Sequence, residues 1–116
     1  MTPLFHFELL NPPFGDPALL VNLKEEKNAL LFDIGDISHI KSGKLFKVSS
    51  VFVTHTHIDH FIGCDHLIRL NLSRDKTISF FGPVGMTDRI KGKLNGYTWN
   101  LVENYPFVIK VVEIEQ

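Results

Sequence analysis

The chain has 116 residues, enough for one small domain and too few for two ordinary ones. Its 44% hydrophobic and 22% charged content is that of a soluble globular protein, and a formal net charge of −1 excludes a bulk positive field drawing the whole chain toward nucleic acid. No apolar run approaches the ~18 residues that span a bilayer, the N-terminus lacks the basic and long apolar regions of a signal peptide, and a single cysteine excludes an internal disulfide framework.

A cytoplasmic location is therefore expected. In chain order, a short apolar run from Leu4 to Leu10 precedes the turn cluster Pro12-Pro13-Phe14-Gly15-Asp16-Pro17. The runs Ala18 to Leu23 and Ala29 to Gly35, joined by the polar turn Lys24 to Asn28, predict a hairpin of buried strands. Residues 36–47 allow a short helix, broken or capped around Gly43, and Ser50 to Thr54 reads as the next strand. The spacing of Ile62, Leu67, Ile68, Leu70 and Leu72 predicts a helix from Asp59 to about Asn71. Thr77 to Phe81 is a predicted strand that stops at Gly82-Pro83. Val84 to Leu94 is a second helix with Gly96 as its C-terminal cap. Phe107 to Glu115 alternates apolar and charged residues, as a strand does. With no repeat or linker, one mixed unit of strands alternating with helices over 1–116 is the economical architecture.

The most informative stretch is Thr54-His55-Thr56-His57-Ile58-Asp59-His60, which sets three imidazoles and one carboxylate within six consecutive positions, 55–60. It follows the apolar Val51-Phe52-Val53, so a strand ends in a His-rich turn. Imidazole nitrogen suits zinc, iron or manganese, and a carboxylate broadens the choice. In an extended or turn backbone His55 and His57 project to one side, because side chains alternate with period two. Asp59 and His60 fall where a helix begins, and Asp is a favoured N-cap. Two ligand pairs from one short loop suit a two-metal centre. The competing structural role, several buried titratable groups without a partner, is energetically costly. Cys64 reads as a small core residue rather than a nucleophile. The local basic groups Lys41, Lys44, Lys47 and Arg89, Lys91, Lys93 read mainly as solvated surface.

Thr54 to Gly63 resembles the H-x-H-x-D-H run of the metallo-β-lactamase fold superfamily, and more closely its ribonuclease Z-like branch. Leu30 to Asp36 is similar to the superfamily's first motif, an Asp ending a buried strand and followed by Gly. Phe80-Phe81-Gly82-Pro83 resembles the strand-then-Gly-Pro element one helix later. The resemblance implies an α/β (α+β) fold, a metallo-β-lactamase-like αββα sandwich with mixed sheet and flanking helices. It implies that His55 and His57 bind one metal, and that Asp59 and His60 bind the other. Asp33 would hold the ligand loop by hydrogen bonds from outside the metal. The metal expected is zinc, two ions in a complete site, with manganese or iron as alternatives. The implied reaction is hydrolysis of a phosphodiester by a two-metal-activated water, with Asp59 as the catalytic carboxylate that orients or deprotonates the nucleophile. In the ribonuclease Z family the substrate is the 3′ trailer of precursor tRNA.

The family completes its site with a further His, a bridging Asp and a last His, whereas no histidine follows His66 here. Asp75 and Asp88 come too early to bridge, His66 reads as a surface or core residue, and His6 and His39 match no ligand motif. The expectation is thus the N-terminal half of the sandwich only, with one apolar sheet face uncovered. Such a face invites a homo-oligomer or pairing with a missing second half. RNA or another phosphodiester is the expected partner, and a membrane is not. A hydrolase of a small ester or thioester, or a truncated non-catalytic metal-binding fragment, is the alternative.

Overall fold

The computed structural model describes residues 4–23, 26–99 and 105–115. Six strands form one sheet in which spatial order follows chain order: β1 Phe5–Leu9, β2 Leu19–Leu23, β3 Ala29–Phe32, β4 Val48–Phe52, β5 Thr77–Pro83 and β6 Val108–Ile114. β1 to β3 pair antiparallel, and β3 to β6 pair parallel. The connections explain the change. Loops return the chain between the first three strands, whereas α1 Ser42–Leu45, the pair α2 Ile58–Phe61 and α3 Cys64–Asn71, and α4 Met86–Asn95 carry it back across the sheet. Right-handed crossovers that add strands in one direction leave every helix on the same face.

Strand alternation then sorts the side chains. Cross-strand partners Leu20, Leu31, Val51 and Phe80 share one face. They are buried in a single cluster with Leu45, Phe61, Cys64, Leu67, Met86 and Ile90 from the helices. The next row, Leu19, Phe32, Phe52, Phe81 and Val112, lies on the opposite face. There Phe32, Phe52 and Phe81 stack with ring centroids 4.9 and 4.7 Å apart. Phe7 and Leu9 on this face are 62% and 68% exposed. The uncovered apolar face expected from the sequence is present among the described residues, and one sheet with one helical layer is what they form.

All the predicted elements that lie in the described residues are present, with shifted bounds. Lys24 and Glu25 of the predicted turn lie outside those residues. The predicted helix from Asp59 to Asn71 is two helices, because the Gly63 amide leaves the helical ladder and donates to Ile34 O at 3.1 Å. β3 ends at Phe32 rather than Gly35, since Asp33 turns the chain with φ 58°. β4 begins at Val48 rather than Ser50. β5 does not stop at Gly82-Pro83 but runs through both, paired with Glu113 and Ile114 of β6; proline is tolerated at a strand's end. Gly96 caps α4 from a right-handed conformation, its amide donating to Gly92 O and Lys93 O. Gly43 lies inside α1. None of the described helices is long and apolar enough to cross a membrane.

Two glycines set how closely α2 and α3 approach the end of β3. A Cβ at Gly63 would collide with the Gly35 carbonyl and press Ile34 Cγ1 and Ile37 Cγ1 at 3.0 Å. A Cβ at Gly35 would meet Asp16 and the Asp59 carbonyl. Gly63→Ala is therefore expected to destabilise by about 1–3 kcal/mol through overpacking. Gly92→Ala, within α4 with open space around it, is expected to stabilise by about 0.5–1 kcal/mol. Thermal unfolding midpoints of the two variants should move in opposite directions. Cys64 is fully buried, and burial pushes its thiol up to about 12. A maleimide or disulfide reagent at pH 8 should leave it unmodified in the native chain and label it on denaturation; rapid native labelling would contradict its core position.

Candidate metal centre

The site is built where three chain segments meet at the C-terminal end of the parallel strands. β3 delivers Asp33, β4 delivers the loop Thr54 to His57, and α2 delivers Asp59 and His60. Backbone hydrogen bonds lock the three together. Asp33 N donates to Phe52 O at 2.7 Å, Ile34 N to His60 O at 2.9 Å, and Val53 N to Phe81 O at 2.8 Å. Asp33 is one of the few buried polar residues, at 8% exposure, and its left-handed φ of 58° is one that Asp tolerates better than most residues.

From this position the Asp33 carboxylate organises the donors. Its Oδ1 accepts from Thr54 N at 2.8 Å, and both its oxygens lie 3.0 Å from Thr54 Oγ1. Oδ2 also lies 3.0 Å from His60 Nδ1. A carboxylate only accepts, so the proton on His60 sits at Nδ1 and leaves the Nε2 lone pair free. The single Thr54 hydroxyl proton is directed to Asp33 as well. Toward His55 Nδ1, 3.0 Å away, Thr54 Oγ1 is then the acceptor. His55 is thereby held in the same tautomer, with Nε2 available to a ligand. One buried carboxylate sets two imidazoles, one directly and one through a hydroxyl, as imidazoles that bind metals require.

The four expected ligands lie near one another in pairs. The His55 and His57 rings stand edge-on with centroids 4.5 Å apart, and the His55 and His60 centroids are 4.0 Å apart. His60 Nε2 faces Asp59 Oδ2 at 3.5 Å. Among the described residues no three His, Cys, Asp or Glu side chains already form a closed metal-holding group. The donors are arranged pairwise, with His57 and Asp59 turned to solvent. Their chemistry, imidazole nitrogen with carboxylate oxygen, suits a divalent cation whose remaining positions are filled by water or by donors outside this set.

One local expectation is corrected. Asp59 is not the N-cap of α2; His57 occupies that position with φ −63° and ψ 151° and makes no side-chain cap bond. The cause is the turn bond from His60 N to His57 O, 2.9 Å, which starts the helix earlier and puts Asp59 in its first turn. The residue that sequence reasoning missed is Thr54. Its position directly before the first imidazole was the available signal. The other histidines stay out of the cluster: His6 is exposed on β1, His39 Nε2 lies 3.3 Å from Leu10 O, and His66 faces a hollow beside α3. Of the basic residues, Lys44 pairs with Glu8 and Lys93 with Asp65.

No family model matches the chain. The ribonuclease Z of Picrophilus torridus is 33% identical over 111 residues, covering 90% of this chain and 34% of the relative. That of Nitrosopumilus maritimus is 31% identical over 100 residues, covering 81% and 33%. That of Methanosarcina mazei is 40% identical over 75 residues, covering 59% and 24%. The chain thus spans about a quarter to a third of the length of these curated relatives. Among solved structures, the short form of human tRNase Z matches with a TM-score of 0.61 at 26% identity, covering 94% of this chain and 44% of that one. A metallo-β-lactamase fold protein from Bacillus subtilis matches with a TM-score of 0.62 at 13% identity, covering 96% and 45%, a likeness of fold alone. With its strand order, its His-rich loop at the end of β4 and these shared identities, the chain belongs to the ribonuclease Z-like family of the metallo-β-lactamase fold, over part of that family's length.

Proposed function

We propose that this chain carries the metal-binding loop of a divalent-metal-dependent hydrolase acting on phosphodiesters of RNA, with precursor tRNA as the substrate suggested by its relatives. The observation that supports this most is the pairwise approach of His55 to His57 and His60, and of His60 to Asp59, on a loop anchored by Asp33 and Thr54. His55 and His57 would hold one cation, and Asp59 and His60 a second, with zinc the metal best suited to this donor set and manganese or iron the alternatives. Bound cations would supply charge stabilisation at phosphorus and ease loss of a proton from water.

The chain's own residues have separate tasks in this reading. Asp59, half-exposed at the mouth of the loop, orients the attacking water and accepts its proton. Asp33 keeps His60 and, through Thr54, His55 in the tautomer that presents Nε2. The open aromatic face around Phe32, Phe52 and Phe81 is assigned to packing against a second sheet, contributed by a second copy or by further chain of the same family.

Zinc binding followed by calorimetry or by elemental analysis after dialysis tests the ligand set. Asp33→Asn replaces an acceptor by an amide donor facing His60 Nδ1 and is expected to weaken metal affinity about 10–100-fold. His57→Ala should weaken it further, with the far-UV circular dichroism of both variants unchanged. Hydrolysis tests the reaction. The chain supplied with zinc or manganese should cleave a chromogenic phosphodiester in preference to a thioester. Asp59→Asn should lower kcat by about 10²–10⁴-fold. Stoichiometric metal binding with no hydrolysis of either substrate would favour the non-catalytic alternative. Cleavage that persists in His57→Ala would remove the proposed centre altogether.

A further inference from the structure

The four donors of the His-rich loop are not equally prepared for a cation. His60 is the best held. Its Nδ1 lies 3.0 Å from Oδ2 of the buried Asp33, so a charge-assisted bond fixes the ring and leaves Nε2 on its far side. That Nε2 already faces Asp59 Oδ2 at 3.5 Å. Zinc bonds of about 2.0–2.2 Å to nitrogen and oxygen, set at the tetrahedral angle, put two donors ~3.3–3.5 Å apart. The Asp59 and His60 donors therefore stand at the spacing a bound cation requires of them. The turn bond from His60 N to His57 O, 2.9 Å, fixes the start of the helix that carries both.

His55 and His57 are held more loosely. His55 reaches the Asp33 carboxylate only through Thr54, whose Oγ1 lies 3.0 Å from both carboxylate oxygens and 3.0 Å from His55 Nδ1. The one hydroxyl proton goes to the carboxylate, so His55 Nδ1 donates to a neutral oxygen. A bond of that kind is roughly half as strong as one to a charged acceptor. Thr54 Oγ1 is 3.5 Å from His60 Nδ1 and competes little with Asp33 there. His57 is exposed, makes no cap bond at the helix start, and has no side-chain hydrogen bond among the described residues. Three imidazoles from one short loop are thus ranked by the fold: His60, then His55, then His57.

We infer that the two cation positions fill in order, Asp59 and His60 first, His55 and His57 second, and that Thr54 is the positioning residue for the second alone. The order rests on the reading of this loop as a two-cation centre, and its cause is preorganisation. Donors already fixed at coordination distance give up little freedom on binding, whereas an imidazole free to turn is ordered only at that moment. His55 keeps its proton on Nδ1 because the Thr54 oxygen accepts it there. Without that oxygen the proton is shared between the two ring nitrogens, and the ring presents the wrong one part of the time. His60 is independent of the hydroxyl, since its bond to Asp33 is direct. The Thr54 amide, which donates to Asp33 Oδ1 at 2.8 Å, survives any change of side chain.

Long-range proton–nitrogen NMR spectra of the imidazoles test this in the full chain at about pH 8, above the range in which free imidazole titrates. Before metal is added, His60 and His55 should each show a protonated Nδ1 and a bare Nε2, and His57 a mixture of tautomers. Half an equivalent of zinc should shift the His60 ring and the Asp59 amide, with His55 and His57 moving only as the second equivalent enters. Thr54→Val should turn His55 into a tautomer mixture and leave His60 unchanged. It should weaken the second zinc about tenfold with the first unaltered, and Thr54→Ser should restore the native pattern. Zinc that shifts His55 and His57 before His60, or all three together, overturns the order while leaving the metal centre. A Thr54→Val chain that weakens both zincs equally overturns the role of Thr54. A chain that retains no zinc removes the centre and the order together. Ordered loading by a chain that hydrolyses neither phosphodiester nor thioester leaves the inference and removes the hydrolase.

Discussion

The buried carboxylate of Asp33 is the constraint around which the site is arranged. A charge in that position is tolerable only if its oxygens are engaged, and here they accept from the Thr54 amide, the Thr54 hydroxyl and His60 Nδ1. Satisfying the charge and orienting the imidazoles are one event, because the same hydrogen bonds do both. The geometry also demands a left-handed turn at Asp33 and an approach of α2 to the end of β3 so close that Gly35 and Gly63 admit no Cβ. Backbone conformation, helix interruption and ligand orientation are thus linked through a few atoms.

The two faces of the sheet present opposite situations. On the helical side a continuous cluster from Leu20 to Ile90 is closed to water. On the other side a stacked row of phenylalanines lies under little or nothing among the described residues. Exposed apolar area of this kind disfavours an isolated single layer, and in this fold a facing sheet is the natural cover. The donors at the sheet's edge are in a comparable state. They are gathered and oriented, but pairwise, so that a cation held there has positions left for other donors.

Much of this was legible in the residues. Alternation in Phe107 to Glu115 and the apolar runs at 18–23 and 29–35 identify strands because they are half or fully buried on a pleated surface. The His-rich loop was legible because several titratable groups so close together have few structural uses. Thr54 was not, since a hydroxyl's role depends on which carboxylate lies across from it, and Asp33 is distant in sequence. The break at Gly63 was equally hidden: its amide leaves the helix for the Ile34 carbonyl, a partner that exists only once β3 is in place. The predicted Asp59 cap failed for a related reason, as the His60–His57 turn bond moved the helix start.

What the sequence by itself determined is the local chemistry: which stretches are strands or helices, which loop gathers imidazole and carboxylate side chains, and that the central strands are apolar on both faces. These follow from short-range patterns of hydrophobicity and residue type. Only the tertiary structure decided which imidazole nitrogen is free and which glycines permit the close approach. Those depend on contacts between residues far apart in the chain, and a hydrogen bond or a collision has no counterpart in a linear pattern until the backbone brings its two ends together.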